Sequence, residues 1–178
     1  MTYKEIKGYC DYHEFYKEVF NKLPDNAHVC EVGVYLGHSV AYMATLAKES
    51  GKNITVHAVD TFDGSEEHKR KGVLNYYIQY KTNIESCGVS DYIVTYPTTS
   101  ELAAKNIQDK TFHFIFLDAS HDYENVKKDI KTWLPKLKDN GTFAGHDYCN
   151  SWPGVKKAVD ESFKVTLNKT VWIIQEQI

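Results

Sequence analysis

Two hydrophobic periods take turns along this chain. Tyr12, Phe15, Tyr16, Val19 and Leu23 recur at three- and four-residue spacing and predict an amphipathic helix, with Asp11 and Glu14 as a capping box and Pro24 as its stop. AHVCEV (27–32) is short, apolar and rich in valine, as a buried strand is. A glycine-bearing turn from Gly33 to Gly37 leads into a helix with Val40, Met43, Ala44 and Ala47 inward and Gly51 after it. ITVHAV (54–59) predicts a second strand ending at Asp60. The polar run TFDGSEEHKRKG then precedes helical spacing of Val73, Leu74, Tyr77, Ile84 and Cys87. DYIVTY (91–96) predicts a third strand, Glu101–Ala104 a short helix, and FHFIFL (112–117) a fourth strand ending at Asp118. Tyr123, Val126, Ile130, Trp133 and Leu137 mark the next helix, with Asp122 as its cap. Asn140-Gly141 is the turn into a fifth strand, TFAGH (142–146). Val155, Ala158, Val159 and Phe163 mark the last helix with Pro153 in its first turn, and KVTL and TVWIIQ predict an antiparallel pair.

Strands alternating with helices define an α/β domain built on a parallel sheet. No repeat or low-complexity stretch divides the 178 residues, so a single domain over 1–178 is expected, with an N-terminal helix in 1–26. Residues 61–90 exceed what a crossover needs, and this loop-helix excursion reads either as a cover or substrate contact for an active site or as a plain surface excursion. Lys+Arg 21 against Asp+Glu 24 gives a formal charge of −3, which argues against a nonspecific nucleic-acid binder. MTYKEIKGYC has no apolar signal core and no run is long enough to span a bilayer, so no membrane partner is expected. Cys10, Cys30, Cys87 and Cys149 make no C-x-x-C pair, and the expectation is reduced thiols in a cytoplasmic protein.

The polar residues concentrate where the strands end. Strand one runs into Glu31 and Gly33, strand two into Asp60, strand four into Asp118 and His121, strand five into His146 and Asp147. In an open parallel sheet ligands bind beyond those carboxyl ends. Gly33 and Gly37 permit backbone approach to a ligand, and the next helix offers free N–H groups. Their spacing is G-x-x-x-G, not the G-x-G-x-x-G of pyrophosphate binders, which disfavours a nucleotide-dependent oxidoreductase. Glu31 beside the turn suits a cationic ligand, and Asp60 suits the two hydroxyls of a ribose. Helix packing for the glycines and a turn cap for Asp60 are the competing structural readings.

At these residues the chain resembles the class I S-adenosylmethionine-dependent methyltransferases. EVGVYLGHSVAYMA looks like their first motif and VHAVDTFDG like the second. FIFLDASHDYENVKKDIKTWLPKLKDNGTFAGHDY and WPGVKKAVDESF are closer still to a small branch related to macrolide-sugar and other natural-product O-methyltransferases, so the resemblance spans roughly 27–178. It implies a Rossmann-like doubly wound sheet of seven strands in the order 3-2-1-4-5-7-6, the last antiparallel. It implies S-adenosyl-L-methionine as cofactor, its methionine part held by Glu31 and the Gly33–Gly37 turn, its ribose by Asp60, with Thr99 and Ser100 by the adenine and Asp118 bordering the cofactor.

Methyl transfer to an alcohol requires the acceptor's proton to leave, so a base or a metal is expected. By the resemblance His121, three residues after Asp118, is the base, and Asp118, His146 and Asp147 match the positions of a divalent metal, Mg²⁺ or Mn²⁺ by default. The His-Asp pair departs from the relatives' usual acidic or amide pair, and imidazole suits Mg²⁺ poorly, so metal and metal-free readings both stay open. The expected acceptor is a hydroxyl of a sugar or glycosylated small molecule; a non-catalytic cofactor-binding module is the alternative, and a homodimer is compatible with either. His13, His28, His38, His57, His68 and His113 show no convergent spacing and are assigned structural roles. Tyr12, Phe15, Tyr16, Tyr77 and Trp133 are read as core. Tyr35, Phe62, Tyr148 and Trp152 fall in loops at the cofactor edge, where Tyr148 and Trp152 are favoured as acceptor-pocket lining.

Overall fold

Seven strands carry the computed structural model of this protein, which describes residues 1–64 and 75–177. They are β1 (His28–Val32), β2 (Thr55–Asp60), β3 (Ile93–Pro97), β4 (Phe112–Leu117), β5 (Leu137–Gly145), β6 (Phe163–Asn168) and β7 (Val171–Gln177). The sheet order is β3-β2-β1-β4-β5-β7-β6. Pairings from β3 through β5 are parallel, while β7 runs antiparallel to both β5 and β6. The order reverses between β1 and β4, and the crevice above their carboxyl ends is where such a sheet binds ligands.

Side chains alternate across the sheet, so each strand feeds two cores. On one face Phe114 and Phe116 of β4 join α1 (His13–Lys22), α2 (His38–Ser50) and α3 (Tyr77–Ser86). On the other, Ile115 and Leu117 join α4 (Ser100–Lys105), α5 (Tyr123–Trp133) and α6 (Pro153–Asp160). The wholly buried rings of Tyr16, Tyr80, Phe114 and Phe116 lie on the first face, and Trp133, Phe143 and Trp172 on the second. Much of the aromatic excess is therefore packing.

Local signals failed at five places. Asp11 does not cap α1: the N-cap is Tyr12 with no side-chain cap, and Asp11 Oδ1 instead meets His146 Nε2 at 3.0 Å. Leu137 leaves the helix, because α5 ends at Trp133 and a 3-10 turn holding Pro135 intervenes before β5. Asn140-Gly141 lies within β5, where the pairing jumps from Phe112↔Leu137 to Phe114↔Thr142 and Asn140 takes φ 64°. Phe163 opens β6 instead of ending α6. The third predicted strand begins two residues late, after a 3-10 turn at Ser90–Tyr92. Val73 and Leu74, with most of the TFDGSEEHKRKG run, lie outside the described residues.

The crevice depends on a close backbone approach at Gly33. Its φ is +89°, and a Cβ there would lie 2.1 Å from the carbonyl oxygen of Asp118. Gly33 thus brings the exits of β1 and β4 together. Gly33→Ala is expected to destabilise the fold by about 3 kcal/mol or more, combining a left-handed backbone with an overlap that no rotamer relieves. Urea unfolding of wild type and variant measures this, and an unchanged midpoint would contradict the packing described.

Candidate active site

Three carboxylates stand at adjacent strand exits, and each is held differently. Glu31, at the end of β1, is 3% exposed. Tyr16 Oη donates to its Oε2 at 2.8 Å and Ser39 Oγ to its Oε1. Burial pushes its carboxyl up to about 8, against the opposing effect of those two hydrogen bonds. Asp60, at the end of β2, is spent on backbone. Its Oδ2 accepts from the N–H groups of Val34 and Tyr35, each at 2.9 Å, and its Oδ1 from Phe62 at 2.7 Å. Tyr35 and Phe62 take positive φ, 48° and 58°, so Asp60 stabilises two backbone conformations that side chains disfavour.

Asp118, at the end of β4, accepts from Tyr12 Oη at 2.9 Å. Burial raises its carboxyl above the usual range, partly offset by His146 beside it. His146 Nδ1 lies 3.2 Å from Asp147 and 3.7 Å from Asp118, while its Nε2 lies 3.0 Å from Asp11 and 2.9 Å from Thr170 Oγ1. Burial opposes its charge, but the hydrogen bonds it donates to Asp118 and Asp147 prevail and raise it to about 10. His146 is therefore an imidazolium at neutral pH. Asp147 also faces His121 Nε2 at 2.8 Å, and although burial opposes ionisation, its two histidine partners hold it well below the usual carboxylate range. Asp147 sits at φ 63°, a conformation that aims its carboxylate between the two rings. His121 in turn stacks on Trp152, centroids 4.0 Å apart.

These groups share one cleft of about 1380 Å³. Gly33, Tyr35, Asp60 and Thr98–Glu101 line one end; Tyr12, Asp118, His121, Asp147 and Trp152 line the other. Such a volume exceeds that of a typical single-ligand pocket and leaves room for two ligands side by side. Thr99 caps α4 by accepting from Leu102 N–H at 3.4 Å. Ser100 donates to buried Asp129 and accepts from Trp133 Nε1 at 2.8 Å, a contact that ties α4 to α5. Gly37 is the N-cap of α2 at φ 89°.

Among the described residues of the strand exits, the donor atoms of Asp118, His121 and Asp147 lie within 4.8 Å of one another, close enough together for a metal. His146 is not in that set. Its two nitrogens face Asp11, Thr170, Asp118 and Asp147. Tyr148 does not line the cleft: its hydroxyl bonds Asp160 at 2.6 Å and Lys156 Nζ at 3.0 Å on α6. Phe62 is 1% exposed and packs on Tyr77 and Tyr80 in the core. Two groups in the site carried no sequence signal: Tyr12, read as core, and Asp11, read as a cap. Among the described residues His28 pairs with His57 and His13 with His38, each with ring nitrogens 3.0 Å apart. The first lies at the amino ends of the strands, where burial lowers His57 to about 4; His68 lies outside the described residues.

Sheet order, crevice and strand-end carboxylates together define a Rossmann-like methyltransferase fold. Residues 30–148 match the family described as a methyltransferase domain, and the chain belongs to that family. Among solved structures, the O-methyltransferase NovP superposes with a TM-score of 0.75 at 19% identity, over 93% of this chain and 79% of that one. CalS11, a TDP-rhamnose 3'-O-methyltransferase of calicheamicin biosynthesis, gives 0.58 at 17% identity, over 92% and 76%. A Streptococcus mutans protein in complex with S-adenosylhomocysteine gives 0.62 at 14% identity, over 94% and 97%. At these identities the likeness is one of fold. No curated protein shows significant sequence similarity to the chain. No helix among the described residues is long and apolar enough to cross a membrane.

Glu31 makes a pH prediction. Its carboxyl is raised from 4.5 to about 8 in the fold, so between those values the folded state binds more protons than the unfolded state. Its contribution to stability therefore falls as pH rises through that window. Glu31→Gln, which keeps a partner for Tyr16, is expected to gain stability relative to wild type as pH rises from about 5 to about 8, at a slope approaching 1.4 kcal/mol per pH unit. Urea unfolding at several pH values reads the difference; a flat difference would place the Glu31 titration elsewhere.

Proposed function

We propose that this chain transfers a methyl group from S-adenosyl-L-methionine to a hydroxyl of a small acceptor, a sugar or glycosylated metabolite. The observation that carries this reading is the single cleft joining the Gly33–Asp60 end to the His121–Asp147 end. The cofactor supplies an activated methyl group, so the protein has to align it with the acceptor oxygen, take the acceptor proton and exclude water. The β1–β2 end suits the cofactor. Glu31, poised near neutrality, ionises opposite a cationic ligand, and Asp60 holds the turn that would border the ribose.

At the other end His121 is the base. Asp147 accepts from its Nε2–H, which favours the tautomer with a basic Nδ1 and stabilises the imidazolium formed when the acceptor proton arrives. Trp152 holds the ring in plane against the cleft wall. His146 keeps Asp118 and Asp147 from repelling each other, and Asp118 with Tyr12 is placed to orient the acceptor. A second reading rests on the clustering of Asp118, His121 and Asp147: their mixed oxygen and nitrogen donors fit a divalent cation such as Mn²⁺ or Mg²⁺, which would acidify a bound hydroxyl. In that reading His121 is a ligand and not the base. The −3 balance favours a small molecule over nucleic acid.

Isothermal titration with S-adenosylhomocysteine is expected to give one site per chain, and no binding would refute the cofactor assignment. Methyl-transfer assays across sugars and glycosylated metabolites test the acceptor class. With an acceptor in hand, His121→Ala is expected to lower kcat roughly 10²-fold or more while cofactor affinity changes little. Equal losses in both would contradict the base. Full activity in EDTA supports the metal-free mechanism, and loss restored by Mn²⁺ or Mg²⁺ supports the second reading.

A further inference from the structure

We propose that Cys10, His13 and His38 form a binding site for one thiophilic divalent cation of the Zn²⁺ type, separate from the active-site carboxylates. Their donor atoms, one sulfur and two imidazole nitrogens, all lie within 4.8 Å of one another. His13 Nε2 and His38 Nε2 are 3.0 Å apart. Two nitrogens on a tetrahedral zinc are roughly 3.3 Å apart, so the pair needs only a small spread to admit the ion.

The surroundings favour ligation as well as proximity. His38 Nδ1 donates to the carbonyl oxygen of Ile6 at 2.8 Å. Because a carbonyl can only accept, this contact puts the proton on Nδ1 and leaves the lone pair on Nε2, aimed at His13. That is the outer contact by which a metal-bound histidine is usually oriented. Tyr3 packs against both imidazoles and Tyr42 against His13, fixing the rings in place. The Cys10 thiol gives up its proton to solvent when the cation binds, so that the thiolate is the ligand. On coordination the Nε2 proton of His13 gives way to the ion, and Nδ1 takes up a proton from solvent. The amino end of α2 disfavours a bare cation but favours the thiolate that arrives with this one.

Three protein ligands leave a fourth coordination position. Cys10 and His38 both line the cleft, so the ion would sit in its wall. It would also join the segment before α1 to the first turn of α2, where a Cβ on Gly8 would already touch His38 Cβ at 3.0 Å. The cation therefore secures the N-terminal flank of the cleft, the flank that supplies Tyr12 to Asp118.

Co²⁺ is the probe that tests this, because only a thiolate ligand gives the intense near-ultraviolet charge-transfer absorption. Titration of the reduced, metal-free protein with Co²⁺ is expected to raise that absorption to a plateau at one equivalent, and Zn²⁺ to bleach it. Cys10→Ser should abolish it, and His13→Gln and His38→Gln should each weaken Co²⁺ binding roughly tenfold or more. Asp147→Asn should leave it intact, which separates this site from the Asp118–His121–Asp147 cluster. Zn²⁺ should raise the thermal midpoint of wild type and not of Cys10→Ser, whose fold is checked by circular dichroism. Absence of the absorption in wild type, its persistence in Cys10→Ser, or its loss in Asp147→Asn would overturn the proposal.

Discussion

Two tyrosine hydroxyls hold the centre of this molecule together. Tyr12 and Tyr16, one helical turn apart at the start of α1, donate to Asp118 and Glu31, the carboxylates at the exits of β4 and β1. Those strands are neighbours at the point where the sheet order reverses, so their exits form the floor of the crevice. Buried carboxylates without donors would cost several kcal/mol each or stay protonated. The rings that carry the two donors pack against Phe116, and Tyr16 also against Phe114, so the same residues fill the core and satisfy the site. The N-terminal segment is thereby part of the active-site architecture, although it lies outside the span that matches the methyltransferase domain family.

Charge in the cleft is arranged as a gradient. At the β1 end Glu31 sits near neutrality, able to ionise when a cation arrives. At the β5 end Asp147 is firmly ionised between His121 and the imidazolium of His146. His146 is itself fixed from outside by Asp11 and Thr170. The cluster therefore carries its own counter-charge, which is why the metal-free mechanism is internally consistent. A divalent cation would have to compete with that imidazolium for Asp118 and Asp147.

The sequence was most legible where a residue's role follows from its place on one element. Strand exits at Glu31, Asp60, Asp118 and Asp147 could be read because buried strands are short apolar runs with abrupt polar ends. The strand order came from family resemblance, since periodicity carries no information about which strands pair. Long-range contacts stayed hidden. Tyr12 fits the apolar stripe of a helix, and nothing local tells that its hydroxyl reaches a residue 106 positions away. Asp11 satisfied the spacing of a capping box, yet His146, 135 positions on, is its partner. The histidine pairs were invisible for the same reason, and Ser100 proved to be a link between α4 and α5 as well as a wall of the cleft. Tyr148 fell in the right loop but is held by hydrogen bonds to Asp160 and Lys156, local contacts that outcompete the cleft.

The central claim is that cofactor and acceptor share one cleft, with the transferred methyl passing toward His121. A crystal structure of the protein with S-adenosylhomocysteine tests it most directly. The account predicts the ribose beside Asp60, the amino-acid end over the Gly33–Gly37 turn near Glu31, and the sulfur facing the His121–Asp147 pair across open space. A product bound with its sulfur turned away from His121, or bound outside the cleft, would contradict it.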